Sequence, residues 1–255
     1  MKLSRIYLWL MLVQCFAGLV AGRVCTAAEA APLRVGVTPV FPPMIFREGG
    51  KIVGVEADFA KALGQELGRP IKFVEVDWED QFTALTDKGT DIIMSAMSIT
   101  RPRQFRAAFT KPYLGIAQMA LVRREDAHKY TFGFPTRPEG YVGVRKGTTG
   151  DFLVQQEFPH AKRKNYTSAE QGAKALAKKQ INLFVSDSPT VWWLEGMNEK
   201  AGLVAVPIQL SQEPLAWAVR KSDTELLESV NRALEKLHSS GEAANILRRW
   251  IPNFK

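Results

Sequence analysis

The sequence contains very little cysteine or histidine. Only two of its 255 residues are cysteines, Cys15 and Cys25, and both come before residue 31. From residue 31 onwards the chain has no thiol for a disulfide, for a cysteine nucleophile or for a cysteine-bound metal ion. The three histidines, His128, His160 and His238, lie far apart in the sequence and lack the spacing of metal ligands or of a Ser-His-Asp set. We therefore predict no catalytic residues, no metal site and no cofactor.

Long apolar runs are absent beyond the amino terminus. Lys2 and Arg5 precede an apolar stretch at residues 6–20 that Gln14 interrupts, and residues 28–30 read Ala-Glu-Ala, a small-residue cleavage signal. The stretch is too short and too interrupted to favour a permanent membrane-spanning helix, so an uncleaved anchor is the lesser alternative. The sequence thus predicts that residues 1–30 are a cleavable signal peptide and that the mature protein is soluble in the periplasm.

The charge distribution gives no indication of nucleic-acid binding. The formal net charge is +8, but the excess is scattered in short patches such as residues 162–164. Scattered charge of this kind is typical of a soluble surface, and we expect no nucleic-acid partner. Lys146 and Gly147 do not have the G-x-x-x-x-G-K spacing of a nucleotide-binding phosphate loop. With 46% hydrophobic residues, the chain can bury a core in one large domain or two small ones.

Residues 91–106, which read DIIMSAMSITRPRQFR, carry the first candidate site. The apolar residues 92–94 predict a buried strand, and small hydroxyl residues follow it. Pro102 favours a first helical turn, and Arg103 offers the fork of donors that suits a carboxylate. Ligands of open α/β sheets bind beyond the carboxyl ends of the strands. The alternative for Arg103 is a solvated basic surface, because RPRQFR is a basic run.

Two aromatic residues are candidates for contact with a ligand. Phe41 stands in a proline-rich segment, predicted to be a loop, after a strand at residues 33–37. Trp78 comes at the start of a predicted helix. Two aromatic faces with a gap between them would hold a side chain of moderate size. The alternatives are a core aromatic for Phe41 and a helix-packing aromatic for Trp78.

The second half of the sequence repeats the pattern of strand, small polar loop and helix. KGTTGD, at residues 146–151, follows the strand YVGVR and precedes a helix predicted from Phe152, so its backbone amides could bind an anion. Asp187 follows an apolar strand predicted at residues 180–185, and its alternative role is the N-cap of the next helix. Two carboxyl-terminal helices are predicted at residues 224–239 and 242–250. This alternation predicts an α/β fold.

The segment MSAMSITRPRQ closely resembles the M-[ST]-[IV]-T-x-x-R motif of the periplasmic amino-acid-binding proteins of ABC importers, the family 3 extracellular solute-binding proteins. GVEADFAKALG, KGTTGD and a return strand ending in AVRK resemble further family segments in the expected order. The resemblance implies a two-lobed periplasmic binding protein type II fold, with a mixed sheet flanked by helices in each lobe and two hinge crossings. Lobe 1 would comprise residues 31–116 and 214–255, and lobe 2 would comprise residues 117–213.

The resemblance also implies roles for individual residues. In this family an arginine at the position of Arg103 holds the ligand's α-carboxylate, and an acidic residue at the position of Asp187 receives its α-ammonium. The ligand side chain would lie between Phe41 and Trp78. Further ligand contacts are implied for Ser98, Ala96, Met97, Thr148, Thr149 and Thr38. Many members carry aspartate in place of Thr38, so we expect a neutral polar or apolar amino acid over lysine, arginine or histidine.

These inferences predict a monomeric solute-binding protein that captures an amino acid or a similar small zwitterion and delivers it to a membrane ABC permease. One alternative is a periplasmic enzyme resembling the cyclohexadienyl and arogenate dehydratases, for which Glu56, Glu79 and Glu213 are the available carboxylates. Another is a ligand sensor domain. Because the chain ends at Lys255 without another domain, we expect such a sensor to act in trans.

Overall fold

The computed structural model of the protein describes residues 30–130 and 140–251. The predicted signal peptide, residues 1–30, lies outside the described residues except for Ala30. The described residues of Ala31–Lys255 form one compact unit. Among them, no helix combines the length and the apolar character that a membrane crossing needs.

The described residues form strands and helices throughout both halves of the chain. The strands are β1 (Leu33–Val37), β2 (Val40–Phe41), β3 (Ile45–Glu48), β4 (Lys51–Val53), β5 (Ile71–Glu75), β6 (Ile92–Ile93), β7 (Ala108–Phe109), β8 (Leu114–Ile116), β9 (Gln118–Arg123), β10 (Tyr141–Arg145), β11 (Lys162–Tyr166), β12 (Leu183–Asp187), β13 (Leu203–Ala205), β14 (Glu213–Leu215) and β15 (Ala218–Val219). The α-helices are α1 (Val55–Leu67), α2 (Gln81–Thr86), α3 (Arg101–Arg106), α4 (Thr149–Glu157), α5 (Ala169–Ala177), α6 (Ser188–Met197), α7 (Thr224–Ser239) and α8 (Glu242–Trp250). Short 3₁₀ helices cover Trp78–Asp80, Arg124–Tyr130 and Glu199–Ala201.

The first lobe is built around a sheet with the strand order β5-β1-β6-β15-β7. β1 pairs in parallel with β5 and β6, whereas β15 runs antiparallel to both β6 and β7. Helices α1, α7 and α8 bury apolar side chains against this sheet, including Leu63, Leu234 and Ile246. Because α7 and α8 are amphipathic, their burial covers one face of the sheet and leaves polar residues outside.

The second lobe is built around a sheet with the strand order β11-β10-β12-β9-β13. β10 pairs in parallel with β11 and β12, and β9 runs antiparallel to β12 and β13. Separate apolar clusters contain Phe184 with Leu194 of α6, and Val185 with Val154 of α4. The side chains of neighbouring strand residues point to opposite faces of a sheet, so Phe184 and Val185 lie on opposite sides. The helices that pack against them therefore cover both sides of this sheet.

Two short sheets complete the fold. β8 and β14 form an antiparallel pair where the chain passes from the first sheet to the second and returns. The strands β2, β3 and β4 form the other sheet. β2 replaces part of the predicted proline-rich loop, because Val40 and Phe41 pair with β3. The α/β architecture with a mixed sheet in each of two lobes, predicted from the sequence, is confirmed.

Two elements begin at residues other than those predicted, for local reasons. α4 begins before the predicted Phe152, because the side chain of Thr148 accepts a hydrogen bond from the Asp151 amide at 3.3 Å and caps the helix. β12 begins later than predicted, because the Gln180 amide still donates to the Ala175 carbonyl at 2.9 Å beyond the end of α5.

Candidate ligand-binding site

The turn after β6 is held from behind by a buried carboxyl group. Ala96 adopts a left-handed backbone conformation with φ of 53°. Its amide donates to Glu56 Oε1 at 2.6 Å. Glu56 also accepts hydrogen bonds from the Tyr113 hydroxyl and the Trp217 indole, each at 2.8 Å. Burial raises the pKa of Glu56 to about 7, and the three hydrogen bonds offset part of this rise because each of them lowers the pKa. Glu56 therefore fixes the turn that carries the predicted ligand residues.

Arg103 is buried, although it belongs to a basic run. Only 9% of the residue is exposed, whereas Arg101 and Arg106 on the same helix are exposed. Arg103 Nη1 donates to the Ser98 carbonyl at 2.9 Å, and Nη2 donates to the Gly147 carbonyl of the other lobe at 3.4 Å. Burial lowers the pKa of Arg103, while the charges of nearby carboxylates oppose this shift. The alternative of a solvated basic surface thus applies to its neighbours and not to Arg103.

Ser98 lies beside a carboxylate at the junction of the lobes. Its hydroxyl donates to Glu213 Oε2 at 2.7 Å. Glu213 Oε1 accepts a second hydrogen bond from the Ser211 hydroxyl at 2.7 Å. Glu213 begins β14, so these contacts tie the turn after β6 to the returning crossing between the lobes. Glu213 was predicted only as an available carboxylate, because nothing in its local sequence marks this position.

Asp187 ends β12 inside the second lobe, with 6% of its surface exposed. It occupies the N-cap position of α6, but within the described residues its carboxylate caps no helical amide. Gln118 Nε2 donates to Asp187 Oδ1 instead, at 2.6 Å. Burial and the charge of Glu213 raise the pKa of Asp187 to about 7, while Gln118 and the charges of two arginines, Arg103 and Arg145, oppose the rise. Asp187 therefore stands at the N-cap position, but its side chain makes no capping hydrogen bond within the described residues.

Phe41 and Trp78, both predicted from the sequence, are neighbours in the structure. Their ring centroids are 6.4 Å apart and their planes differ by 28°. The guanidinium of Arg145, which was not predicted, lies against both rings, with its central carbon 4.7 Å from the Phe41 centroid and 5.2 Å from the Trp78 centroid. Only 8% of Arg145 is exposed, and burial lowers its pKa to about 10. The place predicted for a ligand side chain thus has a cation beside it.

Two residues of this site were missed by the sequence analysis. Arg145 ends an apolar strand and precedes a small hydroxyl loop, which is the same signal that singled out Arg103, so it could have been found. Gln118 is fully buried and donates to both Asp187 and Thr149, the latter at 3.2 Å. Its signal is weaker, because a glutamine at the start of a strand is not distinctive in sequence.

The loop between β10 and α4 faces the first lobe. Thr148 uses its hydroxyl as the cap of α4 and donates it to the Arg145 carbonyl at 2.7 Å. Thr149 accepts the hydrogen bond from Gln118. The Gly147 carbonyl accepts a hydrogen bond from the Trp78 indole of the first lobe at 3.1 Å. The predicted hydroxyl and amide groups are therefore present at the cleft, but Thr148 is already hydrogen-bonded within its own lobe.

Thr38 and Met97 lie in the first lobe with their side chains already in use. The Thr38 hydroxyl donates to the Val76 carbonyl and accepts from Gln81 Nε2, each at 2.8 Å. Met97 is 1% exposed and packs in the apolar cluster that contains Phe82. Both hydrogen bonds of the Thr38 hydroxyl are thus made within the first lobe.

A cleft of about 1090 Å³ opens beside these residues. Trp78, Arg103 and Met97 line it from the first lobe, and Thr149 and Phe152 line it from the second. The described residues contain no group of three or more histidine, cysteine or acidic side chains placed to hold a metal ion. Arg103 and Trp78 line this cleft, whereas Phe41, Arg145 and Asp187 are not among its lining residues. Arg145 nevertheless contacts the rings of Phe41 and Trp78, and the charge of Asp187 acts on both arginines. Buried charged groups and aromatic rings beside a cleft suit a small charged organic molecule.

Comparisons with known proteins identify the family that the sequence matches. A model of the bacterial extracellular solute-binding proteins, family 3, matches residues 33–253. The ABC transporter arginine-binding protein 1 of Escherichia coli (strain K12) is 27% identical over 241 residues, which cover 92% of this chain and 97% of that protein.

Solved structures with the same fold cover most of the chain. The crystal structure of an ancestral amino-acid-binding protein, described as a precursor of cyclohexadienyl dehydratase, has a TM-score of 0.79 at 31% identity and covers 86% of this chain and 95% of its own. An ancestral arginine-binding protein bound to glutamine has a TM-score of 0.77 at 29% identity and covers 86% of this chain and 97% of its own. These matches confirm the two-lobed fold that the sequence predicts.

Proposed function

The chain belongs to the bacterial extracellular solute-binding proteins of family 3, and on that basis we propose that it binds a free amino acid between its two lobes. The observation that carries the proposal is the pair of buried charges of opposite sign, Arg103 in the first lobe and Asp187 in the second. Within the described residues neither forms a salt bridge, and their hydrogen bonds go to uncharged groups. Since a buried charge without a partner is costly, a zwitterion would stabilise both.

In the proposed pose the α-carboxylate of the ligand pairs with Arg103 and its α-ammonium pairs with Asp187. The side chain extends towards Phe41 and Trp78, whose ring centroids are 6.4 Å apart. Because the two charged residues belong to different lobes, the ligand makes its full set of contacts only when the lobes are together. Ligand binding would therefore favour closure of the cleft.

We propose further that the protein delivers this ligand to a membrane ABC permease and works in the periplasm as a monomer. The E. coli relative is named an ABC transporter arginine-binding protein, and it supports this role by its similarity along almost its whole length. The lobes would be residues 31–116 with 214–255, and residues 117–213, joined at the pair of β8 and β14.

The test is calorimetric titration of the purified protein with each of the twenty amino acids. We expect saturable binding of at least one of them with one ligand per chain. Complete absence of binding, in protein shown by circular dichroism to be folded, would rule out the proposed function.

An enzyme resembling cyclohexadienyl dehydratase is the alternative, because one similar structure is described as a precursor of that enzyme. The three available carboxylates are already engaged. Glu56 accepts three hydrogen bonds in the core, Glu79 pairs with Lys146 at 2.8 Å, and Glu213 accepts from two serines. An absorbance assay for loss of prephenate distinguishes the two functions, since a binding protein would leave prephenate unchanged.

A further inference from the structure

We propose that Arg145 recognises a second negative charge on the ligand, so that the protein prefers an acidic amino acid to neutral and basic ones. The inference rests on the function proposed above and specifies its ligand class. It differs from the sequence-based expectation of a neutral ligand, because that expectation took account of Thr38 and not of Arg145.

The first argument is that Arg145 is a buried cation without a charged partner. It is more than nine-tenths buried, and its Nη1 group has no hydrogen-bond acceptor among the described residues. Nor does it form a salt bridge within the part of the chain that the structure describes. A buried donor that lacks an acceptor destabilises the protein, which makes such a group a candidate for ligand contact.

The second argument is the position of the guanidinium. It lies against Phe41 and Trp78, the two rings towards which the ligand side chain is proposed to extend. These rings belong to the first lobe, whereas Arg145 ends β10 in the second. A side chain that enters between the lobes at this point would meet the guanidinium directly.

The third argument is the balance of charge around the ligand. The carboxylates whose charges act on Arg145 are Asp187, Asp77 and Glu79. Asp187 is assigned to the α-ammonium, Glu79 already pairs with Lys146, and Asp77 is exposed, so that water screens its charge. A glutamate or aspartate ligand would bring one carboxylate to Arg103, its ammonium to Asp187 and its second carboxylate to Arg145. A lysine or arginine ligand would place a like charge against Arg145, which is strongly unfavourable in a buried site.

The experiment is a calorimetric comparison of glutamate and aspartate with glutamine, asparagine and arginine. We expect one of the two acids to bind at least about tenfold more tightly than its own amide, the selectivity that a charged contact in place of a neutral one supplies. Arginine should bind more weakly than either. The acid and its amide have nearly the same size, so their ratio isolates the effect of the side-chain charge.

Substitution of Arg145 then identifies the residue responsible. Arg145→Met keeps an apolar stem against the two rings and removes the charge, and we expect it to weaken binding of the acid by about 30-fold or more while changing binding of the amide far less. Arg232→Met is the control, because Arg232 is exposed on α7 and its removal changes the net charge equally. If Arg145→Met does not fold, Arg145→Lys replaces it and should retain the preference for the acid.

The possible results separate the two proposals. Tighter binding of glutamine, asparagine or arginine than of the acids would overturn the role of Arg145 and leave the proposed function standing. An acid preference that survives in Arg145→Met would also overturn it. Binding of none of the twenty amino acids would overturn the proposed function itself. Succinate, which has two carboxylates and no ammonium, should bind more weakly than glutamate and aspartate, since Asp187 would lack its partner.

Discussion

Arg103 shows how the burial of one residue within a basic run decides its role. Arg101 and Arg106 on the same short helix are exposed, whereas Arg103 is directed inwards and reaches the carbonyl of Gly147 across the cleft. Sequence pattern alone left its two interpretations open, because a helix of six residues presents both buried and exposed faces within a few positions. The structure separates them by burial.

Replacing Arg103 with alanine should abolish most of the binding. The ligand's carboxylate would be buried without a cation, and we expect a loss of about 3 kcal/mol or more in binding free energy. Calorimetric titration measures the loss. Arg101→Ala, an exposed arginine of the same helix, is the matched control and should change the affinity less than twofold. Equal affinities in the two variants would contradict the proposed pose.

If Asp187 receives the ligand's ammonium as proposed, ligand binding depends on pH. Burial raises its pKa to about 7, and pairing with an ammonium favours the ionised form, so binding releases a proton wherever the carboxyl was protonated. The affinity should be constant above about pH 8 and fall by up to about tenfold per pH unit below pH 7. Titrations between about pH 5.5 and 8.5, in two buffers of different ionisation enthalpy, measure both effects. An affinity that is constant across this range would exclude an ionised Asp187 as the ammonium partner.

At the scale of elements, the turn after β6 depends on a side chain that is distant in sequence. Glu56 at the start of α1 accepts hydrogen bonds from the Ala96 amide, from Tyr113 and from Trp217. All three partners donate hydrogen bonds, and the carboxylate accepts them with its two oxygens. Glutamine has an NH2 group in place of one oxygen, and that group would face one of the donors without accepting its hydrogen bond. This contact joins α1, β6 and the segment before β15 into one unit.

Glu56→Gln should therefore destabilise the protein by about 2 kcal/mol, the cost of a buried donor left without an acceptor. Urea denaturation monitored by tryptophan fluorescence measures the change in the free energy of unfolding. Glu235→Gln is the control, since Glu235 is exposed on α7 and its pair with Lys111 is solvated; its effect should stay below about 0.5 kcal/mol. Similar stabilities for the two variants would show that the three hydrogen bonds add little.

Elements with strong local signals were predictable from the sequence, and those defined by distant partners were not. Helices α7 and α8 begin and end where the sequence predicts, because both have a clear apolar periodicity. The strand formed by Val40 and Phe41 was missed, since only its pairing with β3 makes it a strand. The same distinction holds in the site. Arg103 and Asp187 stand in recognisable segments, but the position of Gln118 beside Asp187 is a product of the sheet order.

At the scale of the whole molecule, several contacts join the two lobes. Phe46 on β3 and Trp193 on α6 meet with their ring centroids 5.3 Å apart. The Trp78 indole donates to the Gly147 carbonyl, and Lys146 pairs with Glu79 at 2.8 Å. Of these, the exposed ion pair contributes least, because water screens it. The aromatic contact therefore contributes more than this ion pair.

Trp193→Ala should weaken the closed arrangement without touching the proposed site. Loss of an aromatic pair costs about 1 kcal/mol, which corresponds to an affinity about fivefold lower if closure and binding are coupled. Calorimetry measures the affinity, and small-angle X-ray scattering should show a larger radius of gyration. Trp192→Ala, a change at the adjacent and 42% exposed tryptophan, is the control and should alter neither quantity. If both variants behave identically, the contact between Phe46 and Trp193 does not contribute to closure.

The place of β15 in the first sheet also has a consequence for the order of assembly. Its residues 218–219 lie between β6 and β7, which come more than a hundred positions earlier in the chain. The second sheet draws all of its strands from residues 118–205. A nascent polypeptide emerging from its amino end can therefore complete the pairings of the second lobe while the first still lacks an inner strand. Formation of the pairings in this order would complete the second lobe before the first.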